Sequence, residues 1–190
     1  MEAGYLGEGI GLPYQTIRSV LFDGNFVNVV TYQSFDPLYK IELVNGETPV
    51  IRGMLETPGY SGYLKTMYVG DNKYLVGIGY TDYGSIKISI YESGEEVIQI
   101  GNDLVFEDCW DSTVFDKSSS LFFKTTEKGC LYGVEMYGSD DYGFVILEIT
   151  PEEDEKFNVI TTGLKAQRAV YVNGYIYLVG YGEISSIQYS

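Results

Sequence analysis

An all-β chain of repeated, four-stranded antiparallel units is what this sequence predicts, and three observations predict it. The stretch from Ile17 to Leu55 reads as four short apolar runs joined by turn residues. The same pattern returns 47 positions later with no insertion or deletion, carrying Phe22 onto Val69, Val29 onto Val76, Ile41 onto Ile88 and Val50-Ile51 onto Val97-Ile98. The 19 tyrosines and 23 glycines, against five prolines, suit many strands and tight turns, and no run has a convincing helical period. Four antiparallel strands in about 40 residues is the size of a β-propeller blade. The expected fold is therefore a β-propeller of about four four-stranded antiparallel blades in one domain, residues 1–190.

In the first unit, Arg18–Phe22 is a short apolar run that stops at Asp23-Gly24-Asn25, a tight-turn signal. Phe26–Tyr32 supplies valines and aromatics for a half-buried surface. After a loop at Ser34–Pro37, Tyr39, Ile41 and Leu43 alternate with Lys40 and Glu42, the period of a strand with one buried face. Asn45-Gly46 turns the chain into Val50–Leu55. The third copy keeps Ser112–Phe115 before a turn at Asp116-Lys117-Ser118. Its Val145, Leu147 and Ile149 fall 59 residues after Ile86, Ile88 and Ile90. The change of offset from 46 to 59 places 13 extra residues between this unit's second and third strands, within Thr126–Tyr142, as an extended hairpin. Pro151–Lys156 reads as a short acidic turn. A fourth copy runs from Arg168–Val172 through Asn173-Gly174 to Ile184–Tyr189 and lacks its last strand. Ala3–Leu6 is expected to supply that strand and close the ring, removing exposed sheet edges. The blades are thus drawn at 17–56, 64–104, 110–162 and 167–190 plus 1–8.

The charge balance, 12 basic against 27 acidic residues for a net −15, argues against nucleic acid, whose phosphates demand a positive surface. It also disfavours anionic membranes, and no stretch is long and apolar enough for a span. Residues 1–20 carry no basic, apolar export signal. Without histidine, Cys109 and Cys130 cannot complete a tetrahedral zinc site, and triads of the usual kind are absent. The two cysteines flank the third unit's first hairpin, so a disulfide is conceivable; independent free thiols are the favoured reading.

Four phrases resemble a known family: GYLGEGIGL (Gly4–Leu12), VVTYQSFDPLYKIEL (Val29–Leu43), PGYSGYL (Pro58–Leu64) and LVGIGYTDYGSIKISIY (Leu75–Tyr91). They are similar to secreted bacterial and archaeal proteins with a C-terminal β-propeller domain distantly related to WD40 repeats. The resemblance covers nearly the whole chain and is strongest over residues 4–91. It implies a propeller fold and an extracytoplasmic, secreted or cell-surface location, and it implies no reaction. Family members usually carry a longer domain, so this chain resembles the carboxy-terminal part of one.

In such a strand order, the loops joining strands two to three, and strand four to the next unit, share one end. They carry Tyr60, Tyr63, Asp82, Tyr83, Trp110, Asp140, Asp141 and Tyr142. Loops on a rigid scaffold are where binding concentrates. Three chemistries compete there. Tyrosines and Trp110 could stack on sugar rings or grip a peptide while Asp82, Asp140 and Asp141 accept hydrogen bonds. Clustered aspartates could hold calcium, although the loops lack DxDxDG spacing. Two carboxylates could act as acid and base on a glycoside. The leading expectation is a non-catalytic binding domain for a protein or glycan. The alternatives are an extracellular glycan hydrolase, or an assembly unit that is monomeric or pairs as a homodimer to complete a larger ring. Local structural roles are also expected: Tyr32, Tyr80, Tyr175 and Tyr177 as packing between blades, Asp36 as a turn cap, and the loop aspartates as loop stabilisers.

Overall fold

The computed structural model describes residues 10, 16–32, 36–44, 47–139, 143–180 and 182–189. The chain is all-β; among the described residues a 3-10 turn at Ser118–Ser120 is the one helical segment. The strands form four antiparallel sheets, consistent with the expected blade number. They fall into two compact units, one drawn from Met1–Thr66 and Asp71–Val105, the other from Met67–Gly70 and Phe106–Ser190. The closing strand expected at Ala3–Leu6 and the turn at Asn45-Gly46 lie outside the described residues.

In the first unit, β1 (Thr16–Asp23), β2 (Phe26–Tyr32), β3 (Asp36–Glu42) and β4 (Val50–Thr57) pair in sequence order. Gly24, at φ +60°, turns the first hairpin. A second sheet holds β5 (Tyr60–Val69), β6 (Asn72–Tyr80), β7 (Ile86–Ser93) and β8 (Val97–Gln99), with β9 (Leu104–Phe106) also pairing β7. The glycine in Gly79 is dictated by a neighbour: a Cβ there would stand 1.6 Å from the Tyr60 carbonyl oxygen.

Strands β2 and β3 are buried on both faces, which corrects the one-sided reading of Tyr39–Leu43. Val27, Val29, Tyr39 and Ile41 form one cluster, with Ile10 packed against it. Val30 and Leu38, on the opposite face, join Leu64, Leu75, Tyr91 and Val97 of the second sheet. Lys40 is buried along with its apolar neighbours, whereas Leu43 is exposed. A lysine can hold such a position because its stem is apolar and its ammonium finds a carbonyl, that of Gly94.

In the second unit, β10 (Cys109–Ser112), β12 (Cys130–Gly138), β13 (Phe144–Ile149) and β14 (Phe157–Leu164) make the main sheet. The extra residues are not between the second and third strands. Strand β11 (Phe122–Thr125) pairs with the first half of β12, and β10 pairs with its second half. The first strand of this sheet is therefore split, and residues 113–121 leave its line and return. Both pieces satisfy the same edge of β12, so the ladder tolerates an excursion that an ungapped comparison puts on the wrong side of β12.

The last sheet has three strands, β15 (Arg168–Val172), β16 (Tyr175–Gly180) and β17 (Glu183–Gln188). Asn173 (φ +49°) and Gly174 (φ +85°) form the expected tight turn, both in the left-handed region that a type I′ hairpin requires. Ile176 and Leu178 point into a core with Phe122, Leu131, Phe144 and Ile146. Tyr175 and Tyr177 do not fill packing space: both are exposed on the other face, with Val170, Val172, Val179 and Ile184. Cys109 and Cys130 are buried and free, so no disulfide links them.

Candidate functional site

At one end of the first unit, the turn from β4 to β5 lies beside the loop from β6 to β7. The Gly59 amide donates to Asp82 Oδ1 at 2.8 Å, which fastens one loop to the other. Thr81 organises the rest. Its amide donates to the Ser85 carbonyl, its carbonyl accepts from Gly84, and its Oγ1 accepts from the amides of Tyr83 and Ser85 at 3.3 and 3.2 Å. Such side chain-to-backbone bonds fix a short loop without regular structure. Tyr83 rides on it with its side chain in solvent, 96% exposed. Asp82 thus has a structural use, as a loop stabiliser, while the Tyr83 side chain is left to solvent.

Tyr60 has different surroundings. Its ring lies 4.7 Å from that of Tyr32 and 5.2 Å from that of Tyr80, both tilted. Arg18 sits 5.2 Å from the centroids of Tyr32 and Tyr60. Tyr32 and Tyr80 therefore pack as expected, and Tyr60, which opens β5 and is not in a loop, packs with them beneath the Arg18 guanidinium. Nothing in the period of β1 marks Arg18 as the cover of aromatics drawn from β2 and β5. Tyr63 is half-buried on β5, and burial raises the pKa of its phenol.

A buried ion pair steadies this end. Lys87 Nζ meets Asp103 Oδ2 at 3.0 Å and the Pro58 carbonyl at 2.5 Å, and Gln99 donates to the other Asp103 oxygen at 2.8 Å. The Pro58-Gly59 turn is thereby held from below by Lys87 and from the side by Asp82.

In the second unit, Trp110 stands at a register shift between Cys109 and Asp111, where β10 bulges against β12. Bulges re-aim side chains, and this indole is 56% exposed. The Ser139 amide donates to the Asp108 carbonyl at 3.1 Å, so here too a two-to-three loop meets the entry to a first strand. Asp140, Asp141 and Tyr142 lie outside the described residues, as does the side chain of Asp36. Among the described residues no group of three or more His, Cys, Asp or Glu side chains converges to hold a metal ion. No helix among them is long and apolar enough to cross a membrane.

Both thiols are buried and held in the protonated form. Burial, with Asp108 adding to it, pushes Cys109 up to about 11; burial, with Glu148 adding to it, pushes Cys130 up to about 12.

The sequence profile described as the beta propeller domain matches residues 7–190. An uncharacterised protein of Archaeoglobus fulgidus is 26% identical over 179 residues, covering 94% of this chain and 26% of its own length. An uncharacterised protein of Methanocaldococcus jannaschii is 30% identical over 174 residues, covering 90% of this chain and 26% of its own. The chain thus spans about a quarter of the length of these curated relatives.

Proposed function

The chain belongs to the beta propeller domain family, and on that footing we propose that it is a non-catalytic binding domain of an exported protein, meeting a protein or glycan through its two-to-three and four-to-one loops. One observation carries the proposal: Tyr83 is 96% exposed on a loop whose shape is already set by hydrogen bonds. An aromatic on a pre-shaped loop offers contact area while little conformational entropy is left to lose. Trp110, turned outward at its bulge, is the corresponding anchor in the second unit. The extracytoplasmic location within this proposal rests on the sequence resemblance alone, and fractionation of the source cells tests it separately.

The test is a glycan array together with affinity measurement on each partner found, repeated with Tyr83→Ala and Trp110→Ala. Affinity should drop by about tenfold or more for at least one variant, as expected when an interface anchor is truncated, with the melting temperature unchanged. Partners that bind both variants as tightly as the parent would defeat the proposal.

A second reading, assembly with another copy of the chain, is favoured by the outer face of the last sheet. Val170, Val172, Tyr175, Tyr177, Val179 and Ile184 are all exposed there on three paired strands. Contiguous exposed apolar surface of this kind marks interaction sites. Sedimentation equilibrium should show a dimer that Tyr177→Glu dissociates; a monomer at all concentrations rules this reading out.

A further inference from the structure

An irregularity near the start of β1 aims one side chain. Ile17 pairs with Thr31 and Ser19 with Val30, so Arg18 is the extra residue of a bulge in the β1–β2 ladder. A bulge takes its side chain out of the strand's alternation, and here the guanidinium comes to lie 5.2 Å from the ring centroids of both Tyr32 and Tyr60. Those rings come from different sheets, Tyr32 at the end of β2 and Tyr60 at the start of β5. Tyr80, at the end of β6, has its ring 5.2 Å from that of Tyr60. All three tyrosines keep part of their surface in solvent, and Arg18 is exposed.

The rings orient the guanidinium and leave its donors open. Contact with the tyrosines is made through charge and ring face, whereas the N–H groups of an arginine lie along the edge of its plane. None of the ion pairs among the described residues includes Arg18, and its guanidinium donates none of the side-chain hydrogen bonds there. Arg52 is the contrast, with two nitrogens on Glu42 Oε2 at 2.6 and 2.5 Å. The group that an open, oriented fork matches is an oxyanion, whose two oxygens meet two N–H groups in one plane. In a chain of net charge −15, a singly charged carboxylate is repelled less than a phosphate dianion. The tyrosines add a second requirement, an apolar face close beside the carboxylate. A uronic acid unites the two, because its carboxylate is joined directly to a pyranose ring whose C–H face stacks on an aromatic one. An acidic peptide side chain brings the carboxylate on a flexible stem and brings no ring.

We propose that Arg18, backed by Tyr32 and Tyr60, binds the carboxylate of a uronic acid residue in an otherwise neutral glycan, with the sugar ring against the tyrosines. The assignment rests on the proposed binding role of this end of the first unit, and it names the class of ligand. The two surfaces are continuous. Tyr60 follows Gly59, whose amide is tied to Asp82, and Tyr83 is the next residue of that loop.

The experiment titrates glucuronate and galacturonate into the intact chain, each as the free sugar and as its disaccharide with glucose, read by ligand-observed NMR and calorimetry. The methyl esters of the same sugars and a capped peptide with a single glutamate are run beside them. At least one uronate should bind, and its methyl ester should bind about tenfold more weakly or not at all. Arg18→Gln should weaken the uronate by about tenfold or more, the worth of a charged hydrogen-bonded pair. Arg18→Lys keeps the charge and loses the planar fork, so it should recover only part of that loss. It also keeps the test intact if the glutamine variant melts early. Arg18→Gln should leave neutral partners that depend on Tyr83 bound as before, so failure here and failure of the loop proposal are separable. Uronate binding untouched by Arg18→Gln, or a methyl ester as tight as its acid, overturns the assignment. So does absence of binding across the uronates at tens of millimolar, or a glutamate peptide that binds as tightly as they do.

Discussion

Strands β7 and β16 each run through the interior of a sheet, yet their sequences and their surroundings disagree in opposite directions. β7 reads IKISIYES, an alternation that implies one wet face, and all but one of its residues are buried. β16 reads YIYLVG, apolar at nearly every position, and every second residue is exposed. Alternation of polarity therefore reports what a side chain can find on each face, and water is only one of the things it can find. Lys87 finds Asp103 and the Pro58 carbonyl. Tyr175 and Tyr177 are exposed beside each other, with rings 6.3 Å apart. A continuous apolar run implies two covered faces, and in β16 one of them is uncovered.

The largest effect that could break this comparison is a paired truncation. Ile88→Ala empties a site that is 0% exposed and should cost about 2–5 kcal/mol. Tyr177→Ala, on the open face of β16, should move stability by roughly 0.5 kcal/mol or less. Urea unfolding of both variants gives the two numbers directly. Equal losses would show that the outer face of the last sheet is covered in solution, and would pass the argument to the assembly reading.

Next in size is the pair beneath the Pro58-Gly59 turn. Asp103→Ala leaves a lysine ammonium, 1% exposed, with one carbonyl for company. Removing one member of a buried pair costs about 3–5 kcal/mol, and the partial exposure of Asp103 places this case near the lower figure. Lys87→Met, which takes the charge away and keeps the stem, should cost clearly less. If the two variants are equally unstable, the lysine face of β7 is held by packing and the contrast with β16 loses its electrostatic half.

Much of this was legible in the residues. The 47-residue repeat located the first two sheets because their strands pair in sequence order with no excursion, so period and turn signals suffice. Asn173-Gly174 announced its hairpin because few residues accept φ above zero. The third sheet was misread because β10 and β11 share one edge of β12, and nothing local says that two short runs belong to one strand position. At the loop end, Tyr83 was placed from loop position, which carries exposure with it; Trp110, expected in a loop, lies within β10 and owes its exposure to the bulge there. Arg18 over two tyrosines was not placed, because cross-strand and cross-sheet neighbours depend on register rather than on sequence distance.

The smallest effect concerns which face of the last sheet is inside. Tyr189, just after β17, packs against the core of the second unit, and its hydroxyl donates to Glu148 Oε1 at 2.8 Å. Burial first, then this hydrogen bond and the charges of Glu148 and Tyr171, push its pKa from 10.0 up to about 12. The folded chain therefore holds this proton more tightly than the unfolded chain does. The resulting stability is fully present below pH 10 and is lost as pH climbs from 10 toward about 12. Tyr189→Phe should be weaker than the parent by about 1 kcal/mol at pH 8, the worth of one partly exposed hydrogen bond, and should lose less stability on going to pH 11. Urea midpoints at the two pH values test this. Parallel alkaline losses in parent and variant would mean that Tyr189 does not sit against Glu148. The inward face of this sheet would then rest on apolar packing around Ile176 and Leu178, without a polar tie at its edge.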